Sequence, residues 1–429
     1  MKAKLQYLTV VLFCVLTHQD LLSQTTIGAQ VRPRGEFRNG FKTLTESGRD
    51  PAFFIEQRTR LYANHKSGNF ELHLNFQDVR IWGNTNQIYK TDPSLTNIYE
   101  GWAKYNFNQN WSMKIGRQAL DYDNARFFGD LDWAQQGRSH DALLVSYRND
   151  STGLRIDAGL GYNQSVNEPT QLSGTFYEGN NYKAMQFLWL HKNIGQGKLS
   201  FLLQNDGRQV ATDSSSVYRQ TFGLVGQTSL GGLKLNGELY YQTGEGLSRQ
   251  DISAYLLSLN ATVKTSLTPI TVGFDYLSGT SINDDKNKSF EPLYGTNHKF
   301  YGLMDYFYVG NFHGQQGNVS GLLDIYAKAN FAIGKKSSIQ THLHMFNSAA
   351  DLYDLNNTNE SIDKYLGTEL DIVFTHKLEK GVTLNIGYSQ MWASASMEQI
   401  KTTPGDHTAL NNWAWFMINF NPNLYSSGK

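Results

Sequence analysis

A chain of 429 residues with 38 basic and 38 acidic side chains lacks the basic excess that a nucleic-acid-binding domain carries. Aromatic residues at 13%, with 39 Gly, only 8 Pro and a mean hydropathy of −0.46, suit many short strands and tight turns better than long helices. The length leaves room for two or three soluble domains or for one large barrel and excludes neither.

Lys2 and Lys4, the apolar run Leu8 to Leu16 broken only by Thr9, and Leu21-Leu22-Ser23-Gln24 read as the charged start, core and cleavage region of a secretory signal over residues 1–24. The run is shorter than the roughly 20 residues of a spanning helix. Phe13 stands before Cys14 where lipid modification needs a small residue. The sole cysteine therefore leaves with the signal, and the mature chain carries no disulfide although its compartment permits one. No later stretch offers about 18 consecutive apolar residues. An exported chain of this kind is a soluble periplasmic or secreted protein, a surface protein, or an outer-membrane barrel.

About 18 candidate strands follow, near 25–38, 51–65, 69–82, 97–108, 110–119, 141–149, 153–163, 182–192, 197–206, 218–229, 232–243, 251–264, 269–280, 319–332, 337–347, 365–377, 381–393 and 411–421. In 51–83 Phe53, Ile55, Leu61 and Ala63 alternate with Glu56, Arg58, Arg60 and Asn64, because successive strand side chains take opposite faces. After a turn at Lys66-Ser67-Gly68, Phe70, Leu72, Leu74 and Phe76 alternate with Glu71, His73, Asn75 and Gln77. Beyond Gln77 the pattern slips by one, which a bulge would explain, bringing Asp78 and Arg80 to the polar face.

The connections separate the remaining possibilities. Every second one is short (HKSGN, NQN, NDST, KNIGQG, LGG, KTSLT, IGKKS, LEKG), and the rest include long ones at 83–97, 121–140, 163–181, 281–318 and 348–364. A soluble sandwich has no reason to sort its loops this way; an outer-membrane barrel has short periplasmic turns, long external loops and an even strand number. The predicted fold is all-β: a transmembrane antiparallel barrel of about 18 strands, forming a single domain over residues 25–429. Charged side chains on the polar faces then meet a wet lumen, since Arg or Lys facing lipid at mid-depth costs roughly 2–4 kcal/mol. Trp102, Tyr105, Trp111, Trp189, Trp413 and Trp415, near strand ends, are candidates for the aromatic girdles.

QVRPRGEFR (30–38), IEQRTRL (55–61), QDVRIWG (77–83), IGRQAL (115–120) and DWAQQGRSHDAL (132–143) resemble the alginate-export family of outer-membrane proteins. FEPLYGTNHKFYG (290–302) and WAWFMINFNPNL (413–424) are similar to its late external loop and last strand. The resemblance is densest in the first third of the chain. It implies an 18-stranded barrel that passes an anionic exopolysaccharide through a charged lumen, in the outer membrane of a Gram-negative cell, fed by periplasmic synthesis or export proteins.

The residues themselves supply a matching ladder. Arg32, Arg34, Glu36 and Arg38 share one face of the first strand; Glu56, Arg58 and Arg60, then Asp78 and Arg80, Glu100 and Lys104, and Lys114 and Arg117 extend it, with Arg126 and Arg138 in the 121–140 loop. An Arg fork meets a carboxylate in two parallel hydrogen bonds and keeps its charge at any relevant pH, so a polyuronate can pass from one to the next if each contact releases. Equally, the charges can pair among themselves and merely fill the barrel. Later strands lean acidic, with Glu238, Asp275, Asp324, Glu369 and Asp371 against Lys234 and Lys328, a transverse field that also suits a general or oligosaccharide porin. A third reading is a surface-binding or hydrolytic barrel. HExxH, GxSxG and P-loop motifs are absent, so no enzyme, cofactor or metal is expected. His342 and His344 share a strand face but offer two ligands only, and Asn283, Asp284, Asp285 and Asn287 lack the EF-hand glycine.

Overall fold

The computed structural model describes residues 23–84, 96–164, 177, 181–211, 213, 215–403 and 405–427. The signal expected at 1–24 lies outside them except for Ser23 and Gln24, as do most of the 83–97 and 163–181 connections.

Eighteen strands form one sheet: β1 Gln24–Asn39, β2 Ala52–Ser67, β3 Phe70–Ile81, β4 Thr96–Asn106, β5 Trp111–Gln118, β6 His140–Asn149, β7 Leu154–Tyr162, β8 Ala184–Ile194, β9 Gly197–Gln209, β10 Ser216–Leu230, β11 Leu233–Glu245, β12 Asp251–Val263, β13 Ile270–Leu277, β14 Leu322–Ile333, β15 Ser337–Asn347, β16 Tyr365–Glu379, β17 Val382–Ala393 and β18 Asn411–Phe420, which continues past Pro422 as Asn423–Ser426. Each pairs antiparallel with the next, and β1 pairs with β18 (Arg34 opposite Met417, Arg38 opposite Trp413), so the wall closes and no edge is left unpaired. Every predicted strand has its counterpart.

The wall is built by alternation. Along β12, Tyr255, Leu257 and Leu259 are exposed on the outer surface while Ala254, Leu256 and Ser258 are buried inside; β11 repeats this with Leu239 and Tyr241 out, Glu238 and Gln242 in. The short turns gather at one end. Gly68, with φ +54°, takes the left-handed conformation that the β2–β3 turn needs. The opposite end carries the long connections, although those from β9 to β10 and from β11 to β12 are short there too. Among the described residues three long connections hold structure of their own: a two-residue hairpin at Gly314–Gln315 and Asn318–Val319, a second at Leu352–Asp354 and Asn357–Ile362, and a short helix, Ala395–Gln399.

Only part of the expected aromatic girdle is on the outside. Tyr105 and Trp111 are exposed near the short-turn end. Trp189, Trp413 and Trp415 are buried inside the barrel, and Trp102 stacks on His73 of the inner face at 5.2 Å. In WAWFMINF both faces are apolar, so periodicity carries no sidedness; Ala414 and Phe416 hold the lipid side and the tryptophans turn in.

The packed core of the molecule is the lumen itself. The 119–139 and 278–321 connections fold back between the walls, burying Phe127, Phe128, Tyr301, Met304, Tyr306 and Phe307 to 2% exposure or less. They join as a pair of strands would: Gly129 N–H donates to Tyr294 O and Thr296 N–H to Ala125 O, both at 2.9 Å. The lumen is therefore packed where these segments cross it, as the reading in which the interior is merely filled expects in part.

Candidate functional site

On the inner face of β1 and β2, Arg32, Arg34, Arg58 and Arg60 form a basic wall, all at most 7% exposed. Alternate residues of adjacent strands share one surface, which brings the four together. The segment 131–136 lies against them. Arg58 donates to Asp132 at 2.8 Å and Arg32 at 3.2 Å, with Arg60 3.6 Å away; Arg32 also holds Gln135 at 3.1 Å. Arg34 lies 4.0 Å over the Trp133 ring and donates to its carbonyl at 2.7 Å. Arg34 and Arg38 flank Glu36, which accepts from Trp413 Nε1 at 3.0 Å, and Arg34 also bridges to Glu56.

One carboxylate thus faces three guanidinium groups, and its side chain is 53% exposed. Burial opposes ionisation of Asp132, but Arg58 and Arg32 outweigh it and hold the carboxyl below its usual range. One nitrogen of Arg60, Nη2, has no partner among the described residues, although the ring of Tyr99 lies 3.7 Å from the guanidinium.

Six residues earlier the same loop reaches the opposite wall. Arg126 donates to both oxygens of Asp275 at 2.8 and 2.9 Å, to Glu238 at 3.3 Å and to Ser258 at 3.1 Å, with Phe300 stacked at 3.7 Å. All of these acceptors come from β11, β12 and β13. The connection therefore spans the lumen as a strut, its cation on the acidic wall and its anion on the basic one. The 290–302 stretch braces it: Tyr294 donates to Asp206, and Glu291 meets Arg219 and Arg208. Farther along, Met304 N–H donates to Glu369 at 2.8 Å. Gly302, at φ +82°, lets the backbone approach this closely, since a Cβ there would stand 2.7 Å from the Glu369 oxygens.

Between the strut and the long-loop end lies a cavity of about 940 Å³. Arg34, Arg38, Arg138, Arg219, Glu56 and Trp133 are among its lining residues. Asp132 is not. It sits one step nearer the short-turn end, where Arg32, Arg58 and Arg60 meet it.

Of the other predicted residues, Glu100, Lys104 and Lys114 stand on the inner face. Glu100 accepts from Ala119 N–H at 2.9 Å and lies 3.5 Å from His73, and the Lys114 ammonium lies 5.0 Å from the Trp102 ring. Lys104 is paired in register with Glu71 and Lys114. Arg138 donates to Gly295 O at 2.9 Å. Three residues do not join the inner ladder. The β2–β3 register runs unbroken, so Asp78 and Arg80 share the outward face of Thr59 and Gln57 and pair with each other at 2.6 Å. The bulge predicted after Gln77 occurs in β4 instead, where Tyr99 is the extra residue between Ile98 and Glu100. Arg117 lies on the outer surface, paired with Asp141 at 2.7 Å, both nearly half-exposed. In an unbulged strand residues three apart point opposite ways, so Lys114 facing in sends Arg117 out.

Sequence reasoning missed the partners that make the site: Asp132 as the anion shared by three arginines, and Arg208 and Arg219 on Glu291. The 121–140 loop and the 290–302 motif stand out in the sequence, but their meeting across the lumen is a contact between distant stretches that no local pattern encodes.

Comparison with known proteins places the description "Alginate export" on residues 23–403. Among solved structures, OccK9 (OpdG) of Pseudomonas aeruginosa superposes with a TM-score of 0.61 at 10% identity, covering 93% of this chain and 98% of that one. OccAB1 of Acinetobacter baumannii gives 0.60 at 13%, covering 94% and 97%, and P. aeruginosa OpdK, solved with vanillate, 0.58 at 10%, covering 92% and 98%. No curated protein matches this sequence significantly.

Proposed function

The chain belongs to the alginate export family of outer-membrane channels, and on that premise we propose that it passively conducts an anionic, carboxylate-bearing saccharide, alginate-like in its chemistry, through residues 25–429 acting as one domain. The observation that carries this reading is Asp132. It is a half-exposed carboxylate seated on Arg32, Arg58 and Arg60, the arrangement that a uronate carboxylate would reproduce. A passing sugar acid exchanges with Asp132, takes its two-pronged contact, and leaves when Asp132 returns, so the contact is strong enough to select and weak enough to release. Arg34, Arg38 and Arg138 in the cavity beyond supply the next contacts. The family and its structural neighbours are channels, and the reading calls on no catalysis. Outer-membrane lipid surrounds the barrel, and periplasmic synthesis or export proteins are the partners it implies.

A second reading has its own support. With the strut in place the cavity has the size of a small-ligand site, which favours short oligosaccharides or small carboxylates, and OpdK is a neighbour whose structure holds vanillate. Planar-bilayer recordings separate the two. Anion-selective current blocked by polyuronate supports the polymer; block by uronate monomers alone supports the porin. Replacing Arg58 and Arg60 together with Glu should move the reversal potential toward the cation limit. An unmoved potential would mean that these arginines do not face the conducting path.

A further inference from the structure

Beside the acidic end of the strut, where Asp324 is the register partner of Asp275, the inner face of β15 and β16 carries a cluster that the transport reading does not use. His342 and His344 project from alternate positions of β15, and Asp371 of β16 is the register partner of His342. All three are buried, at 7%, 0% and 1% exposure. Their donor atoms lie within 4.8 Å of one another, with His344 Nε2 4.0 Å from Asp371 Oδ2, too far for a hydrogen bond. Nε2 of each histidine has no hydrogen-bond partner among the described residues, a costly state for a buried polar atom. His344 is also oriented from behind, its Nδ1 lying 2.8 and 2.9 Å from the two oxygens of Asp324. A carboxylate on the far nitrogen fixes the ring and leaves Nε2 as the lone-pair donor, the usual outer partner of a metal-bound histidine.

We propose that His342, His344 and Asp371 form a binding site for a divalent transition-metal ion inside the barrel, independent of what the channel carries. Two imidazoles and one carboxylate, the latter also accepting from Ser389 Oγ at 2.5 Å and Leu303 N–H at 3.4 Å, suit zinc or iron(II). Donors sharing one ion at about 2.0–2.1 Å stand about 3–4 Å apart, so the cluster closes on a metal by shifts of under about 1 Å. Asp324, Asp371 and Glu369 set three carboxylates against the one ammonium of Lys328, the register partner of His342. His342, the least buried of the three, is the ligand nearest solvent. A second acidic and histidine cluster, Glu398, Asp406 and His407, is explained internally, because Glu398 already accepts from both the backbone N–H and the ring of His407.

The test uses the whole barrel in detergent, stripped with a chelator and titrated with ZnCl2 by calorimetry and with CoCl2 by visible absorption. One equivalent of zinc should bind, with a cobalt ligand-field band. His342→Asn should weaken both by at least about 10-fold, and Asp324→Asn, through the orienting contact, by about 10- to 100-fold. Should His344→Gln fail to fold, as judged by heat-modifiable migration, the variants His342→Asn and Asp371→Asn still decide the matter. Absence of stoichiometric zinc in the wild type, or zinc binding that survives His342→Asn and Asp371→Asn but is lost in His407→Asn, overturns the assignment.

Discussion

Arg126→Met is expected to lower the thermal stability of the folded barrel and to shift its conductance toward cations. Arg126 is 2% exposed and bonded to Asp275, Glu238 and Ser258 at once. Breaking a buried ion pair by removing one partner costs about 3–5 kcal/mol, because the surviving charge is left in a poor environment. Here two carboxylates survive, side by side, on the wall that the strut had neutralised. Methionine keeps most of the volume over Phe300 and Tyr301, so the effect reports charge and not a cavity. Heat-modifiable migration measures the first effect and reversal potential the second. Adding Asp275→Asn and Glu238→Gln removes the orphaned charges and should recover most of the stability. A variant matching the wild type in both measurements would show that the Arg126 cluster does not brace the strut.

Asp132→Ala should have the opposite electrical sign. Arg32, Arg58 and Arg60 would lose the carboxylate they share and present three unneutralised cations to the lumen, so anion selectivity and affinity for uronates both rise. Tryptophan quenching, with Trp133 4.0 Å from Arg34, offers a binding readout besides current. The same release follows from acid. The Asp132 carboxyl is held below its ordinary value of 3.8 by the arginines. A depressed carboxylate contributes stability that is present above its unfolded pKa and is lost as pH falls through the folded one. Strut release by protonation therefore belongs below about pH 4, and the conductance of the wild type should be flat above that. A variant with unaltered selectivity, or a wild-type channel that opens between pH 5 and 7, would remove Asp132 from the path.

Two of the three errors in the inner ladder, Asp78 and Arg80, share a cause. A one-residue slip in a strand exchanges its faces, so a sidedness assignment is only as good as the placement of bulges. The sequence shows that polar residues shift phase near Gln77; it does not show whether β3 or its neighbour β4 absorbs the change. Tyr99 absorbs it, and Asp78 and Arg80 consequently stay outside, with each other as counter-ions. Arg117 is different, since its three-residue spacing from Lys114 already forbids a common face.

What the chain determined by itself is the wall: alternation at a period of two, turns sorted into short and long, and an even strand count leave a closed antiparallel barrel as the arrangement that hides every backbone amide from lipid. What only the tertiary structure decided is the interior. Two connections whose bonded residues, Gly129 with Tyr294 and Ala125 with Thr296, are far apart in sequence meet across the lumen, Asp132 finds three arginines of β1 and β2, and Asp371 comes beside two histidines of the neighbouring strand. Strand patterning is a local property, set by each residue and its next-but-one neighbour. The contents of the lumen depend on charges far apart in sequence finding one another once the barrel has closed.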